Sequence, residues 1–411
     1  MLKGYLLRWM FIALLLCASF IISLRSGMEF FSFFFWAIVA IIALSVGWML
    51  IGYYASGVSF TRRIPQKIYE DDTLPIALKL DNKSPFPLFN LVIEDYLPCA
   101  PLGEENKRLL IEYLPAGRHI NLSYDIVCGL RGRYALGPVS VYFFDPLGIF
   151  FVRKVFREYS DLFVYPHCFN IMKFPPLTKG IMPWFGVVTE RRGGGDDDFF
   201  GTREYKKGDP IKLIHWFSSA RKNTLIVKEF QSQSFYRATV IFNLSQADNF
   251  GEGKESVVEY MIKIAASVVK YLLDQNVAVE IIAHAKETVH IPSNKGAEHL
   301  EDILRFLAVA QAQSHVTLGE VFEDFVHFIP NDSNLIVIML DREWEYLQGM
   351  FLLSKRSVSM IPLILVSSSF LGVGEKDKIE QSVAMCLSGE LNICPILFSR
   401  GANLEESFLR Y

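Results

Sequence analysis

Ala238-Thr-Val-Ile-Phe-Asn-Leu244 is a continuous apolar run with no alternation, the pattern of a strand buried on both faces of a sheet. Runs of the same kind recur at Val277 to His284 (VAVEIIAH), Leu335 to Leu340 (LIVIML) and Met360 to Val366 (MIPLILV), with a last strand near Asn392 to Phe398. Amphipathic patterns between them predict helices at Glu255 to Asp274, Ala297 to Ala312, Leu318 to Phe328, Glu343 to Lys355 and Lys376 to Leu387. Doubly buried strands alternating with helices predict a doubly wound, mostly parallel sheet over residues 236–411. In such sheets ligands gather at the carboxyl ends of the strands, and those ends carry Asn243, Ser245 and Asp341.

Working back from that strand, residues 175–235 form an inter-domain segment. Its distinctive part is Gly201-Thr-Arg203-Glu204-Tyr205-Lys-Lys-Gly208-Asp209-Pro210, then Ile211 to Arg221 (IKLIHWFSSAR) with His215, Trp216 and Ala220, then Leu225 to Phe230 with Lys228 and Glu229. Asp209 is placed to cap a helix beginning at Pro210, where a missing N–H costs nothing, and running to about Ala220. Ile211, Ile214 and Ser218 would then share one face, and Arg221 suits the negative end of the helix dipole. Trp216 is predicted to be a buried packing residue and Arg221 a structural cation. Bidentate pairs from Arg203 and Arg221 to Glu204, Asp209 or Glu229 would serve either as a clamp between domains or as a ligand site. Just upstream, Asp196, Asp197 and Asp198 read either as a hard-cation site or as a solvated loop, and the lack of calcium-loop spacing favours the loop. Gly193-Gly194-Gly195 lacks the Gly-Lys-Ser/Thr ending of a phosphate loop.

Residues 57–174 have a different period. In His119 to Val127 the apolar Ile120, Leu122, Tyr124 and Ile126 alternate with Asn121, Ser123 and Asp125, and Val139, Val141 and Phe143 repeat the pattern. Turn residues at 81–85, 115–117 and 145–148 separate the runs. The prediction is a β-sandwich-like domain with no catalytic constellation.

Residues 1–56 remain. Of the 411 residues, 51% are hydrophobic and 21% charged, so apolar sequence is left over after two soluble cores are filled. It lies at Tyr5 to Leu24 and Phe30 to Tyr53, each long enough to cross a hydrocarbon layer of about 30 Å as a helix. Only Arg25 to Glu29 separates them, which predicts a transmembrane hairpin rather than a cleaved signal peptide. Lys3 and Arg8 before the hairpin and Arg62, Arg63 and Lys67 after it, against Arg25 alone in the turn, orient both ends toward the cytoplasm. The expected location is the inner membrane, two-pass, with cytoplasmic soluble domains. Six cysteines without a CxxC pair agree with a reducing compartment, and a net charge of −3 predicts no general attraction to nucleic acid.

With these motifs in view, the chain resembles the bacterial and archaeal domain of unknown function number 58 over nearly its whole length. The resemblance rests on the two leading helices, Arg131-Gly132-Arg133-Tyr134 through Leu136-Gly137-Pro138, Asp145 to Phe150 (DPLGIF), the Gly201 to Phe230 segment and the α/β domain, with departures at Phe217 and Lys212. It implies a von Willebrand factor A-like fold for the last domain and a MoxR-type AAA+ ATPase as partner. The implied Mg²⁺ positions are Asn243, Ser245, Ala247, Thr317 and Asp341, where an amide replaces the first carboxylate and an alanine the second serine. Loss of a charge and an oxygen predicts an empty site, with weak Mg²⁺ binding as the alternative.

The function read from the chain is a non-catalytic, membrane-anchored adaptor or scaffold. A hydrolase or transferase is the alternative, since Cys128, Cys168, His119, His167 and His215 supply the residue types, although none sits in a nucleophile turn. A transporter is disfavoured by spans without intramembrane acids.

Overall fold

The computed structural model describes residues 2–26, 29–55, 57–146, 148, 150–177, 199–206, 211, 214–230, 236–325, 329, 333–342, 350, 353, 358–371 and 393–409. The chain divides into two compact units, one of residues 1–167 with 304–309 and the other of 168–303 with 310–411.

The first unit opens with helices α1 (Leu2–Ser26) and α2 (Glu29–Ala55). They pack as an antiparallel hairpin, with Ser23 and Ser32 hydroxyls 2.8 Å apart and the Phe20 and Phe35 rings 5.4 Å apart. Glu29–Tyr54 in α2 is long and apolar enough to cross a membrane, whereas the apolar part of α1, Ile12–Arg25, is shorter. Ten strands follow: β1 (Val58–Arg63), β2 (Lys67–Tyr69), β3 (Thr73–Asn82), β4 (Leu88–Tyr96), β5 (Asn106–Leu114), β6 (His119–Val127), β7 (Gly132–Leu136), β8 (Val139–Phe144), β9 (Phe151–Phe156) and β10 (Ser160–Tyr165). They form sheets of order β1-β3-β6, β2-β10-β7 and β5-β4-β8-β9.

The period-two pattern explains the core of this unit. Leu74, Ile76, Leu78 and Leu80 on alternate positions of β3 are buried, and Leu91 and Ile93 of β4 with Val139 and Val141 of β8 belong to the same cluster. Inside it, Asp95 is fully buried and accepts bonds from the Arg62 guanidinium and the Tyr124 hydroxyl, while Arg62 also donates to the Leu136 carbonyl at 2.7 Å. Burial pushes the Asp95 carboxyl above its ordinary range despite those partners. Gly137 has φ +117, and a Cβ there would stand 2.4 Å from the Glu158 carbonyl oxygen, which explains the glycine of Leu136-Gly137-Pro138.

The second unit contains a small antiparallel sheet of β11 (Phe199–Glu204) and β12 (Ile226–Phe230), with helix α3 (Trp216–Lys222) between them in sequence. Its main sheet has six strands in the order β15-β14-β13-β16-β17-β18. These are β13 (Arg237–Asn243), β14 (Ala278–His284), β15 (Thr288–Asn294), β16 (Asn334–Leu340), β17 (Ser359–Leu365) and β18 (Ile396–Phe398). All neighbours are parallel except the β14–β15 pair at one edge. Helix α4 (Val257–Asp274) follows β13, α5 (Ala297–Val309) and α6 (Leu318–Phe325) follow β15, α7 (Ser367–Phe370) follows β17 and α8 (Leu404–Leu409) follows β18. Ser256 caps α4 by accepting from the Glu259 N–H at 3.4 Å.

Some elements differ from the sequence expectation. Strand β15 stands where no element is expected; its alternation of half-exposed and exposed residues and its Pro292 are those of an edge strand. Residues 168–174, expected in the β-rich domain, pack within the second unit. The Phe169 N–H donates to the Ser267 hydroxyl at 3.0 Å, and the Phe174 ring lies 5.9 Å from Phe408 and 5.4 Å from Tyr271. The expected helix at Lys376 to Leu387, most of that at Glu343 to Lys355, and the features at 193–198 lie outside the described residues.

Candidate functional site

Strand order places the candidate site. β13 has β14 on one side and β16 on the other, so the chain departs from β13 in opposite directions and leaves a crevice beyond the carboxyl ends of β13 and β16. Phe242 pairs with Ile338, so Asn243 falls level with Met339, and Asp341, two residues on, lies on the same face. Both are buried, at 2% and 3% exposure.

The polar groups at this crevice are largely spent on one another. The Asn243 amide donates to the Val316 carbonyl at 2.8 Å, and Asp341 Oδ1 accepts from the Ser367 N–H at 3.0 Å. Ser245 donates to Asp248 Oδ2 at 2.8 Å, and Thr317 Oγ1 accepts from the Glu320 N–H at 3.3 Å at the start of α6. His284 and Ser314 join side chains at 2.9 Å on the flank. Among the described residues, Asn243 Oδ1 and Ser367 Oγ are buried without a partner.

That donor set fits water or an N–H donor better than a hard cation. Asp341 is the one carboxylate among the four predicted ligands, and its Oδ1 already serves the Ser367 amide. The orphaned Asn243 oxygen is neutral, and Asp248, the other nearby acid, is taken by Ser245. Among the described residues no group of three or more His, Cys, Asp or Glu side chains converges as a metal site.

The inter-domain motif folds differently from its sequence reading. The expected continuous helix to Ala220 is broken at Ile214, which forms an antiparallel bridge with Val227, while the His215 N–H donates to the Ile226 carbonyl at 2.8 Å; α3 starts at Trp216, and the expected start at Pro210 lies outside the described residues. An extended residue at 214 cannot belong to a helix. His215 is the cap, its Nδ1 accepting from the Ser218 N–H at 3.3 Å and lying 2.6 Å from the Ser218 hydroxyl. Ser219, which the sequence did not single out, is buried and ties the two halves together, accepting from the Ile226 N–H at 2.8 Å and donating to the His215 carbonyl at 3.0 Å.

Trp216 is 64% exposed, Phe217 76% and Ile211 69%. The expected burial of Trp216 is therefore corrected: the helix has seven residues, of which Ser219 is the buried one, and both aromatic rings are left outside. Arg203 donates to the Glu204 carbonyl at 3.1 Å, and Arg221 is exposed with no ion pair among the described residues. Tyr205 continues the pairing through its N–H to the Leu225 carbonyl at 2.9 Å, and Ala220 is exposed. Lys228 and Glu229 lie in β12 opposite Thr202 and Gly201. Gly208 and Asp209 lie outside the described residues.

Among the described residues, the cysteines and histidines that could serve nucleophilic chemistry do not assemble. Cys128 is fully buried, and its hydrogen bond with Cys99, together with burial, holds its thiol far above the usual range. Burial raises the Cys168 thiol to about 11, so it is protonated at neutral pH. His215 is committed to the α3 cap, and His119 and His167 are exposed.

Residues 201–344 match the model of a family described as protein of unknown function DUF58. The match takes in the motif, β13, the crevice residues and Asp341. The uncharacterized protein YeaD of Bacillus subtilis (strain 168) is similar, 24% identical over 307 residues, covering 67% of this chain and 74% of that protein. Among solved structures, the CARDB domain of a Pyrococcus furiosus protein in complex with di-metal ions has a TM-score of 0.20 and 10% identity, covering 27% of this chain and 90% of that one. The sporulation control protein Spo0M of Bacillus subtilis has a TM-score of 0.17 and 10% identity, covering 27% and 50%. Structural likenesses of that size say nothing about what the chain does.

Proposed function

We propose that the chain is a membrane-anchored, non-catalytic adaptor whose α/β domain offers a surface to a cytoplasmic protein, with a MoxR-type AAA+ ATPase as the expected partner. The observation that carries this reading is the exposed Trp216–Phe217 pair inside the family-matched segment. Adjacent exposed aromatic rings on a short helix held by buried polar ties are what a protein interface presents before its partner arrives.

Three further features support it. The order β15-β14-β13-β16-β17-β18 with one antiparallel edge suits a von Willebrand factor A-like domain. The crevice at Asn243 and Asp341 is closed by its own hydrogen bonds, which suits binding through shape and N–H donors and needs no Mg²⁺. The hairpin of α1 and α2 suits a two-pass anchor, and the basic residues at its outer ends suit a cytoplasmic location for both units.

A photo-crosslinking amino acid at Phe217 of the full-length chain in native membranes tests the reading. Capture of an AAA+ ATPase is the expected outcome. Capture of lipid alone, or of nothing, would count against an adaptor role for this surface.

A further inference from the structure

Helix α2 does not finish its work at the bilayer surface. Counted from Glu29, a hydrocarbon layer of about 30 Å takes about 20 residues at 1.5 Å each, which reaches Met49. The β-rich domain already grips the helix at and below that level. Ser45 is 5% exposed and donates to Asp145 at 2.5 Å, Met49 belongs to the domain's core, and a Cβ at Gly52 would stand 3.6 Å from Phe143 and 3.7 Å from Leu88. The end of the domain that holds α2 must therefore reach the depth of the lipid headgroups.

That end is ringed with aromatic side chains. Trp48 of α2 lies 5.9 Å from Phe89, and Phe89 lies 5.0 Å from Tyr113. On the β8–β9 side Phe151 lies 5.5 Å from Phe144 and 5.7 Å from Tyr142. Phe89, Tyr113 and Phe151 are all exposed. Basic groups accompany them: Arg153 stands over the Tyr142 ring at 5.7 Å and Lys154 over the Tyr53 ring at 5.7 Å. The nearby acid Glu94 is paired with Arg108 at 2.6 Å. Aromatic rings with cations beside them are the composition of a membrane–water interface, where the rings sit among headgroups and the cations face phosphate.

We propose that the rim marked by Trp48, Phe89, Tyr113 and Phe151 is seated in the headgroup layer, so that the β-rich domain rests on the bilayer instead of standing off from it on a linker. The inference rests on α2 crossing the membrane.

The test uses full-length chains with Cys17, Cys168, Cys386 and Cys394 changed to serine, each carrying one bimane-labelled cysteine in place of Phe34, Tyr113, Phe151 or Leu102, the remaining Cys99 and Cys128 being buried. They are reconstituted in phosphatidylcholine–phosphatidylglycerol vesicles containing nitroxide-labelled lipid. Phe34 lies within the span at 54% exposure, and Leu102 is 96% exposed in the loop at the far end of β4. Quenching at Tyr113 and Phe151 at least about threefold stronger than at Leu102, and approaching that at Phe34, is expected for an interfacial rim. Strong quenching at Phe34 with Tyr113 and Phe151 no different from Leu102 would overturn the seating while leaving the anchor intact. No quenching at Phe34 would overturn the anchor and the seating together. Shielding of Tyr113 and Phe151 from both lipid nitroxide and aqueous iodide would show that protein, such as a second copy of this chain, covers the rim, and would overturn the proposal.

Discussion

Ser45, two-thirds of the way along α2, donates a 2.5 Å hydrogen bond to the buried carboxylate of Asp145, a hundred residues later in the chain. The same carboxylate accepts the Phe150 N–H at 2.6 Å, and the Asp145 carbonyl accepts from Gly148 at 2.9 Å, so the Asp145 to Phe150 motif is folded around the group that receives the helix. A bond to a charged acceptor contributes about 1.5–3 kcal/mol. Ser45→Ala should lower the stability of the first unit by that amount, read from thermal unfolding of the full chain in nanodiscs; an unchanged transition would mean that helix and domain are not coupled through this pair.

The Arg62, Asp95 and Tyr124 cluster should be the most sensitive polar group of the β-rich domain. Asp95 is fully buried and Arg62 nearly so. Breaking such a pair by removing one partner costs about 3–5 kcal/mol. Asp95→Ala should therefore unfold or severely destabilise this unit in a denaturant titration, whereas Tyr124→Phe, which deletes one hydroxyl, should cost about 1.5–3 kcal/mol.

Glu280 predicts an acid-side loss of stability in the α/β domain. It accepts from Arg237 at 2.9 Å and Thr239 at 2.9 Å and lies 2.7 Å from His290 Nε2. Burial acts to raise its carboxyl, but the bonds from His290, Arg237 and Thr239 prevail and hold it below the ordinary value of 4.5. A depressed folded-state value means that the stabilisation is present above pH 4.5 and is lost as pH falls through the folded-state value. Glu280→Gln should cost about 1.5–3 kcal/mol at neutral pH and flatten the stability profile on the acid side. Equal slopes for the two proteins between pH 5 and pH 3, roughly the carboxylate range, would refute this assignment.

Magnesium should not bind measurably. Calorimetry of the full chain is expected to give negligible heat, and the pair Asn243→Asp with Ala247→Ser, which restores a second carboxylate and a hydroxyl, should give a measurable isotherm. Tight binding by the native chain that disappears in Asp341→Ala would show instead a metal-dependent surface.

The exposed ring of Trp216 should be dispensable for folding. A surface change away from buried features alters stability by about 0.5 kcal/mol or less, so Trp216→Ala should leave the melting curve in place.

How much of this was legible beforehand depends on whether the deciding contacts are local. Strands β13 and β16 announce themselves because burial on both faces demands unbroken apolar runs, and the position of Asn243 and Asp341 at neighbouring strand ends follows from that topology. Strand β15 is hidden because an edge strand tolerates Pro292 and half-exposed residues. The expected helix to Ala220 does not run through because the bridge from Ile214 to Val227, thirteen residues on, interrupts it, and a contact that distant leaves no local signal. Nothing in the sequence near Trp216 says which way the ring faces, since its burial would depend on neighbours distant in the chain. The closure of the crevice by Val316 and Ser367 is likewise invisible, because both bonds involve backbone groups.

The adaptor reading is tested most directly by quantitative capture from crosslinked native membranes, comparing the full-length chain with its Trp216→Ala, Phe217→Ala variant at equal abundance. An AAA+ ATPase recovered with the native chain and reduced about thirtyfold with the variant, corresponding to ~2 kcal/mol of lost binding, is the predicted result. Equal recovery from both chains, or an ATPase absent from both while the protein remains folded in the membrane, would contradict it.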